Sequence, residues 1–152
     1  MSFKKIALLL AMALTGAVVF AGCGGDDSSD SESEAVTKTE LVAQADEICQ
    51  GANDAIAEGT ADFDQNTPDE DLVAFAEDTY VPELQDELSQ LQDITPPEED
   101  AEAYDAMLSS LEDAISTVED DPAMVTEENA EDPFADATAQ AKELGLTVCG
   151  QS

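Results

Sequence analysis

Apolar residues recur along most of this chain at intervals of three and four, the period of a helix with one buried face. Leu41, Ala45, Ile48, Ala52 and Ile56 form a first stripe, with Cys49 beside Ile48 on the same face and Gly59 as its stop. Leu72, Phe75 and Ala76, then Val81, Leu84, Leu88, Leu91 and Ile94, form a second. Pro82 falls inside it, where its missing N–H and its ring should kink or divide a helix. Because the periodicity resumes at once, we read one kinked helix. Ala101, Tyr104, Leu108, Leu111, Ile115 and Val118 make a third stripe, ended by Glu119-Asp120-Asp121-Pro122. Asp132-Pro133 opens the fourth, which carries Phe134, Ala137, Ala141 and Leu144 and closes at Gly145. Between the third and fourth, Pro122 to Asp132 reads as a loop with a short helical turn around Ala123-Met124-Val125. Thr37-Lys38-Thr39-Glu40, Thr67-Pro68-Asp69-Glu70 and Thr95-Pro96-Pro97-Glu98 each set a hydroxyl three residues before a Glu, the capping-box pattern of a helix start. No segment alternates as a strand does. Long amphipathic helices with short connections predict an all-α fold, an antiparallel four-helix bundle.

Ahead of these stripes the apolar pattern is continuous. Lys4-Lys5 precedes the run Ile6 to Phe20, and Ala21-Gly22 leads to Cys23, the parts of a secretory signal. Phe20-Ala21-Gly22-Cys23 resembles the lipobox of bacterial lipoproteins. The resemblance implies diacylglyceryl transfer to the Cys23 sulfur, cleavage before it and acylation of the freed amine. Two other readings are a plain secretory signal with a chance cysteine and an uncleaved anchor. For the anchor, the run Ile6 to Gly22 is at the short edge of the roughly 17–25 residues a spanning helix needs. The lipoprotein reading divides the chain into a signal peptide (1–22), the lipidated Cys23 with an acidic Ser/Asp linker (23–36), and a helical domain (37–152). Acyl chains, at about 0.8 kcal/mol per buried methylene, would hold the domain on the outward face of a bacterial cell membrane. The linker has almost no apolar side chain with which to offset its own ordering, so it reads as a disordered tether.

Charge changes the list of partners. The chain has 37 acidic residues against four lysines, with no arginine or histidine, and a formal charge of −33. Loss of residues 1–22, with Lys4 and Lys5, would take this to −35 and leave Lys38 and Lys142 as the cations. Nucleic acid is excluded as a partner, since phosphates are bound by displacing counterions with Lys and Arg. Anionic headgroups repel such a surface, so anchoring falls to the lipid on Cys23. The same field points to cations or a basic envelope partner, and it disfavours the compact state.

Cys49 and Cys149 remain once Cys23 is lipidated, and an even pair in an exported protein reads as a disulfide. Closing that 100-residue separation is worth about 4.7 kcal/mol on the chain-entropy argument. A redox-active or metal-binding pair is the rival reading; without a neighbouring cation, surrounding carboxylates would raise the thiol pKa values. Ala45-Asp46-Glu47-Ile48-Cys49, Thr95-Pro96-Pro97 and Gly145-Leu146-Thr147-Val148-Cys149-Gly150 together resemble a group of actinobacterial exported helical proteins. These are mostly uncharacterised small lipoproteins with an early and a terminal cysteine. The resemblance spans nearly the whole mature chain and supports the cysteine pairing, but implies no activity.

Little catalytic chemistry can be assembled. Lack of histidine eliminates Ser-His-Asp and Cys-His systems and the common zinc sites, and there is no Gly-rich phosphate loop. Acidic pairs of the glycosidase kind are uninformative in so acidic a chain, which also has no Trp to form a sugar platform. Asp62-Phe63-Asp64-Gln65-Asn66 offers oxygens at positions one, three and five of an EF-hand-like loop. Thr67 stands at position six and Val73 at position twelve, so the motif fails. Asp69-Glu70-Asp71 and Glu98-Glu99-Asp100 read as first-turn acids that favour a helix dipole. Phe75, Tyr80, Tyr104 and Phe134 are candidates for a ligand cleft, although core packing is the commoner use of such residues. We therefore expect no catalytic residue, cofactor or dedicated metal site. The expected function is a non-enzymatic surface lipoprotein that binds or scaffolds something in the cell envelope, the alternative being an acidic, calcium-binding or sensory module.

Overall fold

The computed structural model describes residues 35–126 and 131–151, and the signal segment, Cys23 and most of the acidic linker lie outside them. Every regular element among the described residues is helical, as expected. Helix α1 (Lys38–Gly59) begins at the predicted capping box. Thr37 Oγ1 accepts from the Glu40 N–H, and the Glu40 carboxylate accepts from the Thr37 N–H at 2.9 Å. These bonds hold the exposed Glu40 carboxyl below its usual range, the backbone bond contributing most.

The other two boxes do not form. Helix α2 (Asp69–Phe75) has Pro68 at its N-cap with no side-chain bond to the helix. Thr67 Oγ1 serves the preceding turn, accepting from the Asp64 N–H at 2.8 Å. Helix α4 (Ala101–Asp120) starts after a turn over 98–100, with Asp100 at its N-cap. Glu98, Glu99 and Asp100 therefore precede the helix instead of forming its first turn. Asp100 is committed elsewhere: its Oδ1 lies 2.9 Å from Lys38 Nζ and joins the starts of α1 and α4. Proline explains the failure, Pro68 in one box and Pro96-Pro97 in the other, since each holds the residue before it extended.

Between α2 and α3 (Val81–Gln92) the chain stays helical through a π-helical turn, Ala76–Tyr80. The Val81 N–H reaches back five residues to the Ala76 carbonyl. Pro82, the second residue of α3, cannot join an i→i−4 ladder, and the wide turn immediately before it takes up the break. A 3₁₀ turn (Pro122–Thr126) follows α4 over the stretch where a short turn was expected. Helix α5 (Ala135–Leu144) ends on Gly145 at φ 82°, a left-handed conformation that favours glycine. The Leu146 N–H then bonds the Ala141 carbonyl at 2.9 Å, and Leu146 is buried.

The stripes become a core. Leu41, Ala45 and Cys49 of α1 meet Leu84, Leu88 and Leu91 of α3, Tyr104, Met107 and Val118 of α4, and Ala137 and Leu144 of α5. Helix α4 packs on α3 and α5, and α1 packs on α3. Tyr104 is buried, donates its hydroxyl to the Leu91 carbonyl at 2.9 Å, and by desolvation is raised to a pKa of about 12. No described helix is long and apolar enough to cross a membrane.

Candidate functional site

Two constructions lie outside ordinary core packing. The first is a clasp between α1 and the C-terminal segment. Cys49 and Cys149 form a disulfide with their Cα atoms 5.3 Å apart, as expected. One turn earlier on α1, Asp46 receives the Thr147 N–H at 3.0 Å, the Thr147 hydroxyl at 2.7 Å and the Val148 N–H at 2.8 Å. Burial is the largest single influence on this carboxyl and opposes ionisation. Bonds from Thr147, Val148 and Cys149 together outweigh it, and the pKa falls below the usual aspartate value. The early Ala-Asp-Glu-Ile-Cys and late Leu-Thr-Val-Cys segments are thus two halves of one joint.

The second is an aromatic cavity of about 420 Å³ beside α1, α2 and the Pro122–Thr126 turn. Phe63, Phe75, Tyr80 and Phe134 line it as a relay of rings. Centroid separations are 5.4 Å for Phe63–Phe75, 6.4 Å for Phe75–Tyr80 and 6.1 Å for Tyr80–Phe134, the first and last nearly perpendicular. Glycine at the end of α1 makes room for this group, because a Cβ on Gly59 would lie 2.6 Å from the Phe75 ring. Val125, also lining the cavity, is 42% exposed, the large apolar side chain most open to solvent among the described residues. Glu131 and Asp132 add carboxylates to the lining.

A smaller cavity of about 260 Å³ adjoins the first and shares Ile56, Tyr80 and Phe134 with it. Its lining includes Glu87 and Cys149. Glu87 is half-buried on α3, and burial pushes its carboxyl up to about 7. Tyr80, at the junction, is raised by burial first and then by the negative charges of Asp132 and Glu87.

Of the four aromatic candidates from sequence, Phe75, Tyr80 and Phe134 do line a cleft, while Tyr104 goes to the core. Sequence reasoning missed Phe63, read only as part of a failed calcium loop. That loop is a turn: Asp64 Oδ1 accepts from the Asn66 N–H at 2.7 Å. It also missed Glu87, although an acid flanked by Leu84, Leu88 and Leu91 sits on the edge of the apolar face and could have been singled out. Glu87, Cys49 and Cys149 bring potential ligand atoms within 4.8 Å of one another. Both sulfurs are consumed by the disulfide, which leaves this cluster a single carboxylate in the oxidised protein. Compared with protein-family models, with curated proteins and with solved structures, the chain matches none.

Proposed function

We propose that this protein is a non-enzymatic lipoprotein, held at the outward face of a bacterial cell membrane by lipid on Cys23, whose helical domain is a binding module of the cell envelope. In this reading α1, the continuous helical segment 69–92, α4 and α5 form an antiparallel four-helix bundle, with the second member bent at Pro82. The aromatic cavity carries the choice of binding over scaffolding. A well-formed apolar hollow of several hundred Å³ with a few carboxylates at its margin is the usual form of a small-molecule site. A protein acting only as a spacer gains nothing from leaving four half-buried aromatic rings along an open cleft, since each ring forgoes packing contacts there. The Cys49–Cys149 disulfide supports export, because such bonds persist in oxidising compartments.

The anchoring half is tested by expressing the chain and its Cys23→Ala variant in a bacterium that processes lipoproteins. Wild-type protein in the membrane fraction with a lipid-modified N-terminal peptide, and its loss in the variant, is the expected result. Equal fractionation of the two proteins would remove the lipid from the account. The binding half is tested by a neutral, environment-sensitive naphthylamine dye, whose fluorescence should rise on saturable binding and fall in Phe134→Ala.

A further inference from the structure

Resting on that binding reading, we propose that the aromatic cavity selects a lipophilic organic cation, such as an amine or quaternary ammonium bearing an aromatic or alkyl group. Three observations converge on this ligand class. The walls offer Phe63, Phe75, Tyr80 and Phe134, and a cation near such rings is attracted by their negative faces. Acidic residues line both cavities, Glu131 and Asp132 the larger one and Glu87, ionised only above about pH 7, the smaller. Tyr80 lines both cavities, so a ligand resting against its ring would have Asp132 on the lining of the same hollow and Glu87 on that of the adjoining one.

The remaining charges sharpen the choice. Lys38 is paired with Asp100 at the starts of α1 and α4, and neither it nor Lys142 lines either cavity. No basic side chain lines either cavity among the described residues to neutralise a carboxylate, sulfate or phosphate, and the formal charge of −33 repels all three. A neutral apolar molecule would bury its surface but leave the bordering carboxylates unanswered. An inorganic cation meets the reverse problem, since burial among rings removes water it holds strongly. Only a cation with a greasy, weakly hydrated body satisfies both the rings and the acids.

The experiment uses the full chain reconstituted in phosphatidylcholine nanodiscs, with empty nanodiscs as reference. Calorimetric titrations compare benzyltrimethylammonium, benzyl alcohol and phenylacetate in about 0.5 M sodium chloride, which screens the exposed acids. The expected result is one-to-one saturable binding of benzyltrimethylammonium, about tenfold tighter than benzyl alcohol, with no heat from phenylacetate. Tyr80→Leu should weaken the cation about five- to tenfold while changing benzyl alcohol little. If that variant fails to fold, Asp132→Asn serves instead, because the amide oxygen can still accept the Phe134 N–H that Asp132 holds at 2.9 Å. Equal affinity for benzyl alcohol would overturn the cation selectivity and leave the binding reading intact. Absence of binding by all three probes would remove both. Cation binding indifferent to both substitutions would mean counterion condensation on the acidic surface, and would overturn the inference.

Discussion

Glu87 makes the stability of this protein depend on pH in a direction opposite to that of most paired carboxylates. Its carboxyl ionises near 4.5 in an unfolded chain and near 7 in the folded one, because burial on α3 penalises the charge. Between these values the folded state keeps a proton that the unfolded state has released. Folding is therefore weakened as pH rises through the window, with the whole penalty present above about pH 7. A difference of 2.5 units corresponds to about 3 kcal/mol, and about 2 kcal/mol is the fairer figure because water still reaches part of the side chain. Glu87→Gln keeps the shape and abolishes the titration. Urea unfolding at fixed ionic strength should show the variant more stable by about 2 kcal/mol at about pH 8, with the gain falling below about 1 kcal/mol by about pH 5. The other carboxylates titrate in both proteins, so the difference between the two curves isolates Glu87. An advantage that is the same at both pH values would refute the reasoning, as would a variant less stable than wild type at the higher pH.

Three further outcomes follow from other parts of the molecule. Asp46→Ala should cost about 1–2 kcal/mol in urea unfolding, a figure reduced for the exposure of the clasp. Because the Asp46 carboxyl is held below its usual value, that contribution should be present above about pH 4 and fade as pH falls through its folded pKa, so parallel curves for variant and wild type would count against it. Replacing Cys49 and Cys149 together by alanine should lower stability by about 4–5 kcal/mol, measured by the same unfolding, and a loss near zero would show that the clasp holds without the bond. Melting temperature should rise with sodium, magnesium or calcium chloride alike when ionic strength is matched, since self-repulsion is what salt relieves; a selective rise with micromolar calcium would demand a dedicated site.

The stripes at 41–56, 81–94, 101–118 and 134–144 were readable because helix burial has a period that a sequence displays directly. Gly145 was readable for a similarly local reason, as the residue that tolerates a left-handed helix end. Start signals were less faithful. Thr37, followed by a helix former, caps as expected, whereas Thr67 and Thr95 stand before prolines and their groups go elsewhere. Thr67 turns back to Asp64, and the Thr95 carbonyl accepts from Val36. The cavity lay further from view. Phe63 and Phe134 are separated by most of the domain, and only the packing of α2 beside the Pro122–Thr126 turn makes them lining residues of one hollow. Glu87 illustrates the same limit: its position on the apolar edge is local information, but its desolvation depends on a tail more than fifty residues away.

The clasp also decides how the domain would carry a load. Tension applied between Val36 and Gln151 runs along α1 to Cys49, crosses one sulfur–sulfur bond, and leaves through the last turn of the chain. Residues 50–148, with both cavities and three of the four apolar stripes, form a covalently closed ring that hangs off this line. Pulling at the two ends would strain the start of α1, its packing on the core and the bonds around Asp46, while residues 50–148 could not be drawn out into the line of load until a covalent bond broke.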